Sequence, residues 1–212
     1  MVHLTKTQGV IIKTMADYKK DKVLKILAAD CHEKCYICEC PLTSTDKEHI
    51  ISHRNDKSLE VDWNNIFLAC PHCNRIKGMK YDDILNPVDC DPEKHIALSF
   101  KVTPEIDEHV QVEPLTYDHA TLLTKELLDI AYNYNDDSNY LRKMECRNIR
   151  NKLLKPDIKL FEQYIRDFKA DPDLVRDTVC DEIARSSIFA AFKRKIVRDD
   201  PDLHNAFADA LA

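Results

Sequence analysis

Four cysteines constrain this chain more than any other feature. Cys35-Tyr36-Ile37-Cys38 and Cys70-Pro71-His72-Cys73 form two C-x2-C pairs with 31 residues between them. Two residues between thiolates let each pair grip one ion in a tight turn, and two such pairs complete the tetrahedral four-thiolate shell that Zn2+ favours. The spacing predicts one structural Zn2+ held by Cys35, Cys38, Cys70 and Cys73, with no coordination position left for water. Its binding would fold a segment too polar to hold a core alone. Cys31, His32 and Cys40 flank the pairs at poorer ligand spacing and read as core or loop positions. His72, inside the second pair, is left open between solvent and a phosphate.

The full chain has nine cysteines, an odd number, and residues Met1 to Lys6 carry no apolar signal core. A disulfide framework is therefore not expected, and the reading is of a soluble, cytoplasmic protein. Cys146 and Cys180 lie in amphipathic stretches and read as small buried hydrophobes. With 212 residues, 44% of them hydrophobic, the chain has material for a real core, which excludes a disordered or fibrous protein. Apolar runs such as Ile66 to Cys70 stay far below the roughly 20 residues of a membrane helix, so no membrane partner is expected.

Hydrophobic periodicity divides the chain. Val23, Leu24, Ile26 and Leu27 suit an amphipathic helix within residues 15–30, and residues 35–78 break into short apolar pieces between polar turns. Pro87, Pro92 and Pro104 punctuate a connecting region. From Tyr117 onward the pattern is helical: Leu123, Leu127, Ile130, Ala131 and Tyr134 share one face, and similar stripes run over Leu141 to Leu154, Ile158 to Phe168 and Val175 to Val197. Asp171-Pro172-Asp173 is a helix start. The expected fold is α+β and mostly α-helical, with a small zinc-stapled module in residues 1–103 and an all-helical region in residues 104–212.

Between and after the cysteine pairs stand Glu48-His49-Ile50, then Asn65 before the apolar run Ile66-Phe67-Leu68-Ala69, then Asn74 to Gly78. In order and local spacing this resembles the HNH endonucleases, over roughly Cys35 to Lys80. The resemblance implies a ββα-metal fold, in which a hairpin carries the acidic-His pair and a short helix packs across it. Pro71 suits the first turn of that helix, Gly78 its end, and Asn74 and Lys77 share a face. It further implies that Glu48 and Asn74 hold a catalytic Mg2+ or Mn2+, that His49 is the general base, and that Asn65 fixes the loop.

These residue types suit phosphodiester hydrolysis. A neutral imidazole, with an ordinary pKa of about 6.5, takes a proton from water near neutral pH, and carboxylate and amide oxygens are hard ligands for Mg2+ or Mn2+. Two geometric questions stay open. Glu48 and His49 are neighbours, so on a regular strand they point to opposite faces. His53 would lie about 13 Å from His49 if the strand ran on, and joins the site only if the chain turns near Ser52; it reads either as a second functional histidine or as a surface one. Trp63 reads as an anchor for the loop.

A net charge of −6 speaks against nucleic-acid capture by bulk charge. Residues 1–100 carry 14 basic and 15 acidic side chains, and residues 101–212 carry 17 and 22, so the cysteine-rich half is nearly neutral. Expected phosphate contacts are Arg54, Arg75, Lys77 and Lys80 near the site, with Lys143, Arg147 and Arg150 as a basic stripe on a later helix. That footprint is small, and it suggests a partner that helps to capture nucleic acid.

A further stretch, Asn86-Pro87, Asp91-Pro92-Glu93, His95 and Phe100, together with the run Ser186 to Arg194, resembles the HNH subunits of Septu anti-phage systems, the PtuB family. It implies an ABC-type, PtuA-like ATPase subunit as partner and antiviral cleavage of nucleic acid, with DNA as the expected substrate. An RNA- or tRNA-cleaving effector of a retron-type system and a non-catalytic zinc-knuckle adaptor are the alternatives.

Overall fold

A computed structural model describes residues 1–18, 20–102 and 108–212. Two helices, α1 (Met15–Tyr18) and α2 (Asp21–Asp30), precede the first cysteines. Val23 and Leu27, one turn apart, bury the inner face of α2. β1 (Asp46–His49) is followed by a loop holding the short helix α3 (Lys57–Glu60) and a 3-10 turn at Trp63–Asn65. The chain then returns as β2 (Ile66–Ala69), antiparallel to β1, with Glu48 opposite Phe67 and His49 opposite Ile66. All four β2 residues are buried, which is why their apolar run is unbroken, whereas β1 buries only Glu48.

The helix that crosses this hairpin is α4 (Pro71–Lys77). Its ends are written in the sequence: the Cys70 Sγ accepts the Cys73 N–H at the N-cap, Pro71 occupies the first turn, and Gly78 ends it with φ at 46°. The expected hairpin-and-helix unit is thus present.

A second hairpin-like pair was not expected. β3 (Ile96–Lys101) runs antiparallel to β4 (His109–Pro114), with Leu98 opposite Val112 and Phe100 opposite Val110. The Val110/Val112 alternation that marks β4 is only a few residues long, too short to separate from a loop by pattern alone. The expected boundary between 103 and 104, and Pro104 with it, lies outside the described residues.

The rest is helical: α5 (His119–Asn133), α6 (Tyr140–Asn148), a π-helical turn at Ile149–Leu154, α7 (Lys155–Ala170) and α8 (Pro172–Ile183). Pro156 has no N–H to donate and crowds the carbonyl four residues back, which lies in the widened turn; it is the second residue of α7. Asp171 caps α8, as its sequence signal indicates. The stripe from Val175 to Val197 is split, because Phe189, with φ at 50°, turns the chain before α9 (Ala190–Asp199). Two short helices close the chain, α10 (Pro201–Ala206) and α11 (Ala208–Leu211).

The main core joins Leu27, Phe67 and Tyr81 to Leu127, Tyr132 and Phe192, and so draws on both sides of the expected boundary. A second core, including Phe161, Phe168, Val179 and Phe207, holds α7 to α11 together. Among the described residues, no helix is long and apolar enough to cross a membrane.

Candidate functional site

The four Sγ atoms of Cys35, Cys38, Cys70 and Cys73 lie within 4.8 Å of one another, and all four residues are buried. Cys38 and Cys70 are 3.8 Å apart, the separation that Zn–S bonds of about 2.3 Å at a tetrahedral angle produce. The donor set fits Zn2+. Cys40 stands 3.2 Å from Cys38 but outside this group of four, and it is buried, in keeping with a core position. The first knuckle is anchored at a distance: the Tyr132 hydroxyl donates to the Cys38 carbonyl at 2.6 Å, and Lys34 donates to the carbonyls of Arg185 and Ser187, each at 2.6 Å.

Beside the hairpin a cleft of about 350 Å³ is bordered by Glu48, His49, His53, Arg54 and Asn74. Glu48 is only 6% exposed and is held at both oxygens: Oε2 accepts the Tyr36 hydroxyl at 2.7 Å and Oε1 pairs with Lys77 Nζ at 2.8 Å. Burial raises its carboxyl above the usual value, against the opposing pull of Lys77 and Tyr36. A carboxylate oxygen accepts more than one partner, so the fixed group keeps capacity for a cation. Asn74 donates its amide N–H to Asp46 Oδ2 at 3.0 Å, which orients the amide and leaves its oxygen as a ligand atom. Glu48 and Asn74 therefore fit a hard divalent cation.

His49 borders the same cleft from the other side of β1. Its Nε2 donates to the Glu60 carbonyl at 3.0 Å, which sets the tautomer and leaves Nδ1 with a lone pair. Tyr18 stacks on the ring with centroids 5.6 Å apart. Burial lowers the imidazole below its ordinary 6.5, so it is neutral near neutral pH and competent to accept a proton. Glu48 and His49, neighbours on β1, thus both border one cleft.

The ending of β1 at His49 answers the question of His53. The chain turns directly after β1 and brings the His53 ring to 5.1 Å from that of His49, edge to face. Arg54 and Asn55 make the turn with φ at 46° and 71°. Asn65 is 3% exposed and does not border the cleft. Its amide bridges the loop instead, accepting from the Ile51 N–H at 2.8 Å and donating to the carbonyls of Ile51 and Leu59 at 2.9 and 3.0 Å.

The expected phosphate contacts divide. Lys77 is a correction: it is fully buried, paired with Glu48 and donating to the His49 carbonyl at 2.9 Å, so its charge serves the inside of the site and cannot reach a phosphate. Arg54 pairs with Asp82 at 2.9 Å, Arg75 with Glu145, Lys80 with Glu126, and Lys143 with Asp137 at 2.8 Å. Arg150 turns inward to the Tyr132 carbonyl, which interrupts the stripe and leaves exposed Arg147 as its outward member. His72 faces neither solvent nor a phosphate: it is 5% exposed, and its ring nitrogens contact Glu145 Oε2 at 3.0 Å and the Ala131 carbonyl at 2.9 Å.

Trp63 is buried against the Lys6 ammonium, as an anchor of the loop should be. The Asp91-Pro92-Glu93 stretch is a clamp to α9: buried Glu93 receives the Arg194 Nε at 2.9 Å and Arg198 Nη1 at 2.7 Å. Tyr36 and Lys77, which hold Glu48, were not legible as such; the only sequence signal was their place beside the zinc ligands.

Residues 30–80, which contain both cysteine pairs, the first hairpin and α4, match the family model described as HNH endonuclease. No curated protein and no solved structure matches the chain.

Proposed function

We propose that this protein is a metal-dependent endonuclease that hydrolyses phosphodiester bonds of DNA. The observation that carries this reading is His49: a neutral imidazole with its Nε2 fixed on Glu60 and its Nδ1 free, in one cleft with Glu48 and Asn74. Mg2+ or Mn2+ bound at Glu48 and Asn74 would stabilise negative charge on the phosphate and on the leaving oxygen.

The protein's own groups supply the rest. His49 takes the proton of the attacking water at Nδ1, and the Glu60 carbonyl and the Tyr18 ring hold the imidazole in place. Lys77 and Tyr36 hold the Glu48 carboxyl group in place and oppose the upward pull of burial on it. Arg54, at the mouth of the cleft, spends one N–H on Asp82 and keeps others for a phosphate oxygen.

The same reading extends to an anti-phage role beside an ABC-type ATPase in the cytoplasm. Its support is charge: Arg75, Lys80 and Lys143 are already neutralised by acidic neighbours, so unaided capture of DNA is weak, and a second subunit would supply it.

The test is incubation of the zinc-loaded protein, alone and with the product of its neighbouring gene, with plasmid DNA and with total RNA, in Mg2+ or Mn2+. DNA cleavage that His49→Ala abolishes is expected. Cleavage of RNA alone moves the substrate to RNA, and no cleavage under any condition, or full activity in His49→Ala, overturns the enzyme.

A further inference from the structure

We propose that Asp82 is a positioning residue of this site, a latch that holds the turn carrying His53 and Arg54 against the cleft, a role that rests on the nuclease reading above. Asp82 does not border the cleft. It lies just after α4, 30 positions from Ser52, and its carboxylate closes on the turn from behind. Oδ1 accepts the Ser52 backbone N–H at 3.0 Å and the Ser52 hydroxyl at 2.7 Å, and Oδ2 accepts the Arg54 guanidinium at 2.9 Å. Lys77 Nζ, the partner of Glu48, stands 3.7 Å from Oδ1.

The segment under the latch needs holding. Arg54 and Asn55 are consecutive non-glycine residues at positive φ; Asn tolerates this region, but for Arg54 it is unfavourable. The turn has local support, the Asp56 N–H donating to the His53 carbonyl at 2.6 Å, but neither glycine nor proline is present from Ser52 to Asp56, and Asp82 is what ties it to the chain just after α4. The His53 ring reaches His49 only while this turn persists. The two oxygens of Asp82 have separable tasks: Oδ1 grips the backbone through Ser52, and Oδ2 aims Arg54. Arg54 keeps further N–H groups in its fork, so it is held in line for a phosphate without being consumed.

The experiment compares full-length, zinc-loaded wild type with Asp82→Ala, Asp82→Asn and Ser52→Ala. It measures bound zinc, the side-chain 1H–13C resonances of His49 and His53, and kcat and KM on supercoiled plasmid with Mn2+. Asp82→Ala should retain its zinc, shift the His53 resonances and lower kcat roughly 10- to 100-fold, the loss typical of a misplaced cleavage site. Asp82→Asn keeps a side-chain oxygen for Ser52 but turns an NH2 toward Arg54. It should keep the wild-type His53 resonances and most of kcat while KM rises.

Unchanged His53 resonances together with wild-type kcat in Asp82→Ala overturn the latch. Equal losses in Asp82→Ala and Asp82→Asn, with zinc lost from both, also overturn it, because the role is then merely structural. Should Asp82→Ala alone fail to hold zinc, Ser52→Ala decides: shifted His53 resonances support the latch and unshifted ones refute it. A wild type that cuts nothing defeats the nuclease reading instead, and the resonances still judge the latch.

Discussion

The Tyr36 hydroxyl, inside the first zinc knuckle, donates to Glu48 Oε2 at 2.7 Å. The structural metal site and the cleft are thus joined by one hydrogen bond to a buried carboxylate. Tyr36→Phe should lose about 1.5–3 kcal/mol, the range for a hydrogen bond to a charged group, while keeping its zinc. Denaturant unfolding and zinc content check this together; loss of zinc would mean that the ring, not the hydroxyl, matters.

Removal of the metal should act on the same connection from the other end. A strong chelator, or Cys38→Ser, is expected to unfold the hairpin and α4 while the second core around Phe161 and Phe207 persists. Hydrogen exchange should show fast amides across β1, β2 and α4 and slow ones in α7 and α8. Wild type should hold one zinc per chain by metal analysis.

Lys77→Met should be the most damaging single change near the cleft. It leaves the buried Glu48 carboxyl without its cation, and removing one partner of a buried pair costs about 3–5 kcal/mol. The double variant Glu48→Gln/Lys77→Met should regain part of that stability but no cleavage. Chemical denaturation of the three variants measures the coupling.

Acid should loosen the contact between α4 and α6. Burial would raise the Glu145 carboxyl, but hydrogen bonds from Arg75 and His72 outweigh it and hold the group below its usual 4.5. A carboxyl depressed in the folded state contributes stability that is present above about pH 4.5 and lost as pH falls through the lower, folded value. Glu145→Gln should therefore flatten the acid limb of a stability-against-pH curve and leave the plateau near pH 7 lower. An unchanged limb would mean that this cluster does not govern acid unfolding.

Much of the site could be read along the chain because its signals are local. Ligand spacing placed Cys35, Cys38, Cys70 and Cys73 in one shell, and Pro71 and Gly78 bounded α4. The hairpin was expected from the family resemblance, and the apolar run Ile66 to Ala69 forms its buried strand. β3 and β4 escaped because each is stabilised by the other across the residues between them, and neither has a pattern long enough to stand out. Lys77 looked like a surface cation because helix position says which residues share a face but not what that face meets.

By itself, then, the sequence determined the two cysteine pairs and the helix ends around them, set by spacings of a few residues, while the candidate residues of the cleft came from the family resemblance. Only the tertiary structure decided what each charge does. Glu93 with Arg194, His72 with Glu145 and Asp82 with Ser52 are contacts between residues 30 or more positions apart. Whether a cation faces a phosphate or a buried carboxylate depends on which groups folding brings within a few ångströms, where low dielectric makes the pairing strong. That proximity is a property of the packed core, and no local spacing encodes it.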